Sequence, residues 1–144
     1  ARANDCEVAN VGLKSSFDIV SVMKLRSLIA RTKPDVIHLH TARAHVLGAA
    51  AARAAGAKVV IATRHMQHPV HLVWPNSSAY GSWTRAIVAV SDTVRQALVQ
   101  SGVRSDKIRV IHSGADVEAF AQARPADLRS QLGISNSAPI MLAA

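Results

Sequence analysis

Residues 35–43, DVIHLHTAR, decide the fold of this chain. The run VIHL is apolar except for one histidine, as in a buried strand, and the more polar residues HTAR follow at once. A parallel strand made only for packing would consist of Val, Ile and Leu. The histidines are therefore either tolerated in the core or part of a site to which this strand delivers polar groups.

The two histidines of this stretch are expected to play different roles. His38 and His40 point to the same face, because successive side chains of a strand alternate. His38 lies deeper in the strand, and we expect a core histidine bonded to a backbone carbonyl. His40 lies at the rim, where lining a site and capping the following helix are both open.

The segments on either side alternate between helical and strand patterns. Asp18 and Ser91 are good N-caps, while Lys33-Pro34, Gly56 and Gly102 end helices. The predicted helices are 18–31, 44–55, 93–101 and 125–133. The predicted strands are 36–40, 58–63, 86–91, 109–112 and 139–143, with a weakly patterned one at 8–13.

This alternation predicts an α/β fold, a Rossmann-like parallel sheet with helices on both faces. Between the second and third strong strands, residues 64–78 contain two prolines and no steady period. That stretch predicts a long loop, or a loop with a short helical turn.

The composition suits one ordinary domain with an aliphatic core. The chain has 144 residues, 49% hydrophobic and only 3% aromatic, and a formal net charge of +8. The positive charge favours anionic partners, but it is spread singly along the chain, so it is weak support for nucleic-acid binding. A single cysteine, no long apolar run and no signal-peptide layout lead us to expect a cytoplasmic protein.

Polar residues gather where the predicted strands end. Ligands of open parallel sheets bind beyond the carboxyl ends of the strands. Here those ends deliver HTAR at 40–43, TRH at 63–65, SD at 91–92 and HSG at 112–114. His65 is the stronger functional candidate, since an imidazole there can take a proton or bond a substrate hydroxyl, although an exposed loop histidine is the plainer alternative.

A metal site is the weaker interpretation of the histidines. His65, His68 and His71 recur every third residue, but Pro69 breaks helical placement and the loop contains no carboxylate. No dinucleotide-binding GxGxxG, P-loop or GxSxG motif is present.

Several segments together resemble the N-terminal domain of glycosyltransferase family 4, which has the GT-B fold. They are PDVIHLHTARAH, VVIATRH and AIVAVSDTVRQALVQSGVRSDKIRVIHSGADVEAF, and the similarity covers roughly residues 18 to 144. The last segment is the most specific: Val-Ser, a helix, Gly-Val, acidic-Lys-Ile, then Gly-x-Asp with Phe120 four residues later. Ser113 and Ala115 replace the asparagine and valine that the family usually has there.

The resemblance implies a particular domain organisation. Residues 1–138 would form the acceptor-side domain, and 139–144 would begin a donor-binding domain. Gly114 and Asp116 would shape the turn between the domains. The family's first strand and glycine-rich loop, and its Glu-x7-Glu motif, are not in this sequence. We therefore expect the chain to end inside a larger protein, to be inactive on its own, and to be less stable than the complete domain or to self-associate.

The resemblance also implies an activity. The full-length enzyme would move a sugar, with retention, from a nucleotide-sugar to a glycan or lipid-linked acceptor of cell-envelope polysaccharide or lipopolysaccharide synthesis. His65 would be catalytic, and Arg43, Arg64, Thr41 and His40 would bind substrate. No metal or other cofactor is implied, and the basic domain would dock at the inner face of an anionic membrane.

Two other functions stay open at this point. A GT-B sugar-nucleotide epimerase has similar halves, although the Gly-x-Asp turn followed by Phe120 argues against it. A non-catalytic Rossmann-like module would use the same arginines to bind a phosphorylated ligand or an anionic surface.

Overall fold

The computed structural model describes residues 7–12, 18–122, 127–135 and 137–141. By their contacts, the residues divide into two compact units, Ala1–Ser113 and Gly114–Ala144. The first unit contains α1 (Ile19–Thr32), β1 (Ile37–Leu39), α2 (Ala42–Ala54), β2 (Val60–Arg64), α3 (Asn76–Tyr80), β3 (Ala86–Ala89), α4 (Asp92–Gln100), a 3-10 turn (Ser105–Lys107) and β4 (Ile108–Val110). The second contains α5 (Val117–Gln122) and α6 (Leu128–Leu132).

The strands of the first unit form a parallel sheet in the order β1-β2-β3-β4. Ile37 pairs with Val60, Ile61 with Ala86, and Ile87 with Ile108. The predicted fold class, an α/β parallel sheet with helices, is confirmed. Because all four strands run the same way, their carboxyl ends lie at one edge of the sheet, the carboxyl edge.

The helix ends follow the predicted capping chemistry. Asp18 Oδ1 accepts a hydrogen bond from the Ser21 backbone N–H at 3.0 Å, and Ser91 Oγ accepts one from Val94 at 3.2 Å. Lys33 ends α1 in the left-handed region, with φ at 47°. Thr41 caps α2 through a 3.1 Å bond from Ala44, so this cap is not His40.

A core of small and branched aliphatic side chains lies between the sheet and helices α2 and α4. Leu39 is buried, and Gly48 faces it: a Cβ on Gly48 would lie 2.6 Å from Leu39 Cδ2. The missing side chain therefore lets α2 approach β1 closely. Further core residues are Ala49, Ala52, Val60, Ala62, Ile87, Ala89, Val94, Leu98 and Ile108.

Some predicted elements are absent. Residues 8–12 of the predicted strand 8–13 form no strand, and neither do residues 139–141 of the predicted strand 139–143; the remaining positions lie outside the described residues. Helix α5 was not predicted. The boundary between 138 and 139 stays a prediction.

Within the second unit, α6 is short and well capped. Asp127 accepts a hydrogen bond from the Ser130 N–H at 3.1 Å, and Gly133 ends the helix with φ at 63°.

Among the described residues, no helix has both the length and the apolar character that crossing a bilayer requires.

Candidate functional site

The carboxyl edge brings together the histidines of β1 and β2. The ring centroids of His38 and His40 lie 4.0 Å apart, and those of His40 and His65 lie 6.0 Å apart. All three side chains are exposed. We call these residues the histidine cluster. The expectation that His40 and His65 lie at neighbouring strand ends is met by this geometry, whereas their roles in binding and catalysis stay predictions.

The expectation that His38 is a core residue is wrong. His38 is exposed, and its Nε2 shares a 2.7 Å hydrogen bond with Oγ1 of Thr63, not with a backbone carbonyl. Along β1, Leu39 is buried on the opposite face, and among the described residues β1 pairs only with β2. Among the described residues β1 therefore lies at the edge of the sheet, where a side chain such as that of His38 has fewer neighbours.

The surroundings of His38 lower its pKa. Desolvation is the larger cause that lowers the pKa of His38, and the positive charges of protonated His40 and His65 lower it further. A neutral imidazole offers one donor and one acceptor nitrogen, which suits it to bind sugar hydroxyl groups.

Arg43 lies on a cavity beside the start of α2. The cavity has a volume of about 450 Å³ and is lined by Ala42, Arg43, Val46, Val73, Trp74, Pro75 and Asn76. Arg43 is exposed, so its guanidinium can reach an oxyanion in this space. Thr41 precedes it, and the Thr41 hydroxyl oxygen already accepts the capping bond of α2.

Arg64 is held by the backbone of the loop that follows β2. Its Nη2 donates to the carbonyl oxygen of His68 at 3.1 Å, and its buried Nε has no hydrogen-bond partner among the described residues. The backbone of the 64–68 segment therefore fixes one branch of the guanidinium, next to His65. Arg64 carries the positive charge that this part of the edge offers to an anion.

A buried polar pair, which the sequence did not predict, joins α2 to the segment before β3. His45 is 1% exposed, and its Nε2 shares a 3.0 Å hydrogen bond with Oγ1 of the fully buried Thr84. The His45 ring lies 4.2 Å from that of Tyr80. Burial lowers the pKa of His45 to about 4, the Ala79 carbonyl opposes this shift, and the charge of Arg64 adds to it.

Tyr80 and Lys107 complete this region. Burial raises the pKa of Tyr80, and Arg64 opposes the shift. Lys107 Nζ donates to the carbonyl oxygens of Gly81 and of Thr84, the latter at 2.6 Å, and desolvation is the main cause that lowers its pKa. The only sequence signal for this arrangement was a histidine on the alanine-rich face of α2.

The remaining polar residues after the strands are less organised. Asp92 Oδ2 lies 3.8 Å from His112 Nε2, and both side chains are exposed. Asp116 Oδ1 accepts a 3.0 Å hydrogen bond from the Ala119 N–H at the start of α5. Gly114 has open space where a Cβ would lie. The proposed interdomain role of Gly114 and Asp116 stays a prediction.

Basic residues occupy the opposite, amino edge of the sheet. A cavity of about 350 Å³ is lined there by Arg53, Lys58, Arg85 and Lys107. Lys58 lies two residues before β2, and Arg85 and Lys107 directly precede β3 and β4. We call these four residues the basic edge.

Among the described residues, no group of three or more His, Cys, Asp or Glu side chains is placed to hold a metal ion.

Comparison with known proteins identifies relatives of this chain. The family model of Glycosyltransferase Family 4 matches residues 8–119. A curated Escherichia coli protein, UDP-Gal:alpha-D-GlcNAc-diphosphoundecaprenol alpha-1,3-galactosyltransferase, is 31% identical over 125 residues, which are 80% of this chain and 32% of that protein. The chain thus spans about a third of the length of this relative.

Solved structures share the fold. Anabaena Alr3699/HepE in complex with UDP-glucose superposes with a TM-score of 0.62 at 27% identity, over 81% of this chain and 33% of that one. A glycosyltransferase from Rickettsia africae superposes with a TM-score of 0.61 at 26% identity, over 92% of this chain and 37% of that one. The predicted resemblance to a GT-B glycosyltransferase domain is confirmed.

Proposed function

Because the chain belongs to Glycosyltransferase Family 4, we propose that the protein containing it transfers a sugar, with retention, from a nucleotide-sugar donor to a lipid-linked acceptor. The observation that carries this proposal is the family match over 8–119, which includes every strand that delivers a side chain to the histidine cluster. The Escherichia coli relative uses UDP-Gal, and the Anabaena protein binds UDP-glucose. These names support a UDP-sugar as the donor.

The acceptor in this proposal carries a diphosphate. The Escherichia coli relative acts on a sugar joined to diphosphoundecaprenol. In this chain, the exposed Arg43 lines a cavity of about 450 Å³, and Arg64 lies at the neighbouring strand end. A guanidinium pairs with phosphate oxygens through two parallel N–H donors, which orients the phosphate as well as attracting it.

His65 is the proposed catalytic residue. It directly follows β2 and is exposed, with His40 beside it. In this role its ring hydrogen-bonds a hydroxyl of the sugar being transferred and holds that sugar in line for the acceptor. His40 and Thr41 bind the acceptor from the end of β1.

The cytoplasmic face of a membrane is the proposed location, with the protein bound peripherally. The net charge of +8 and the basic edge support this location, since anionic lipids attract basic groups at roughly 1 kcal/mol each. A lipid-linked acceptor would be anchored in the same membrane.

The test is sugar transfer by the complete gene product, comparing wild type with His65→Ala. Transfer of radiolabelled sugar from a panel of UDP-sugars to a lipid diphosphate acceptor is measured, along with donor binding. Loss of a positioned hydrogen bond or proton-transfer group is expected to slow transfer by about 100-fold or more, with donor binding retained. His68→Ala, another exposed loop histidine, is the matched control and should leave transfer unchanged.

Two outcomes would contradict this proposal. Unchanged transfer by the His65→Ala protein would remove His65 from the mechanism. If wild type transferred no sugar from any donor, yet still bound a lipid diphosphate, a non-catalytic binding module would be the better description.

A further inference from the structure

An apolar cavity of about 200 Å³ lies between α1, α2 and the segments on either side of α3. Its described lining is entirely apolar in residue type: Val22, Val46, Leu47, Ala50, Trp74 and Trp83, with Ile19 at the edge. This lining gives a hydrocarbon chain apolar contacts and gives water almost no hydrogen-bond partner.

The apolar cavity adjoins the Arg43 cavity. Val46, Trp74 and Pro75 line both, so the two spaces share one wall. One side of that wall offers a guanidinium and the Asn76 amide, and the other offers only carbon-rich side chains. A ligand that spans the wall would have an anionic group next to a hydrocarbon chain.

Exposed apolar side chains surround the entrance. Ile19 is 75% exposed, Trp74 is 72% exposed and Val73 is 69% exposed. Large apolar side chains that gather at one place on a surface mark a binding site more often than isolated ones do. Here they connect the edge of the apolar cavity with the edge of the Arg43 cavity.

We propose that the apolar cavity holds the first part of the hydrocarbon chain of a lipid diphosphate, while Arg43 binds the diphosphate. This inference rests on the proposed function, because it assigns the acceptor's two chemical parts to two adjoining cavities. The occupant is a single lipid molecule and not the bilayer surface. Each methylene group that enters the cavity raises affinity by roughly fourfold.

The chain carries its own reporter for this site. Trp74 and Trp83 are the only two tryptophans in the sequence, and both line the apolar cavity. The experiment measures tryptophan fluorescence of the complete gene product as dodecyl diphosphate, brominated at the end of its chain, is added below its micelle concentration. A protein carrying Trp74→Phe and Trp83→Phe shows which part of the signal these two residues give. Bromine quenches indole at short range, so saturable quenching is expected, with unbrominated dodecyl diphosphate as the control for environmental change.

Matched variants locate the hydrocarbon chain. Ile19→Asp puts a charge at the edge of the cavity, whereas Val20→Asp puts one at a neighbouring position of similar exposure that does not line it. We expect Ile19→Asp to weaken probe binding about tenfold and Val20→Asp to leave it within about twofold. Ala50→Leu, which fills the cavity from α2 without adding charge, should weaken binding as well.

A further variant tests whether Arg43 binds the diphosphate. Arg43→Gln should weaken binding of the brominated dodecyl diphosphate but not the weaker binding of brominated dodecanol. Saturable quenching that responds to both Ile19→Asp and Arg43→Gln supports the proposal.

Absence of quenching, equal effects of Ile19→Asp and Val20→Asp, or quenching only by vesicles of brominated phospholipid would overturn the proposal. These outcomes leave sugar transfer untouched, because transfer is measured separately through His65. Failure of this site and failure of the proposed function are therefore distinguishable.

Discussion

The burial of His45 makes the stability of the fold depend on pH. The pKa of His45 falls from its ordinary value of 6.5 to about 4, first because it is buried and further because of Arg64, against the opposing effect of the Ala79 carbonyl. At His45, the unfolded chain therefore binds a proton more tightly than the folded chain does. Stability from this group is fully present above pH 6.5 and is lost as the pH falls towards 4.

The predicted consequence is a decrease of about 3 kcal/mol in the free energy of unfolding between pH 6.5 and pH 4 from this residue. His45→Gln keeps a polar partner for Thr84 but does not titrate, so its curve should be flatter in that range. Denaturant unfolding at several pH values measures this. His71→Gln, at an exposed loop position, is the control; a parallel pH dependence of wild type and His45→Gln would contradict the prediction.

A second prediction concerns the effect of His40 on the pKa of His38. Since the charge of protonated His40 lowers the pKa of His38, His40→Gln should raise the His38 pKa. Proton NMR titration of the imidazole resonances measures the change. His68→Gln, outside the cluster, should not move the His38 resonance titration. An unchanged His38 pKa in His40→Gln would mean that the 4.0 Å ring contact is not maintained in solution.

Capping determines how firmly α4 is anchored to the end of β3. Ser91 Oγ accepts the hydrogen bond from Val94 N–H, and Val94 and Leu98 bury their side chains in the core. Ser91→Ala is therefore expected to cost about 1 kcal/mol of unfolding free energy. Urea unfolding of Ser91→Ala and of Thr93→Ala, an exposed position two residues after the cap, tests this. Equal midpoints would show that the cap contributes nothing.

For the helices and strands, the sequence correctly predicted the features that local side-chain chemistry controls. The caps at Asp18 and Ser91, and the apolar strands between them, follow from side-chain chemistry and periodicity. The exposure of His38 did not follow, because it depends on which neighbours a strand has across the sheet. The His45–Thr84 bond did not follow either, since it joins residues 39 positions apart.

The charge of the whole molecule is unevenly placed about the sheet. Histidines and two arginines gather at the carboxyl edge, whereas the basic edge occupies the amino side, before β2, β3 and β4. Arg26 also lies on that side, since its Nε donates to the Ala54 carbonyl oxygen at the end of α2. The proposed function thus separates substrate chemistry and surface attraction between two edges, so the basic edge can be altered without touching His65.

This separation predicts that the position of the charge, and not its total, controls binding to an anionic bilayer. Lys58→Gln with Arg85→Gln and Lys24→Gln with Arg95→Gln each lower the formal charge of +8 by the same amount, but only the first pair removes part of the basic edge. At about 1 kcal/mol per basic group, the first pair should weaken binding to phosphatidylserine vesicles roughly 30-fold. Cosedimentation at low salt measures this, with neutral vesicles and added salt both expected to abolish binding. Equal weakening by the two pairs would mean that only net charge attracts the protein to the surface, and the proposed docking role of the basic edge would then be wrong.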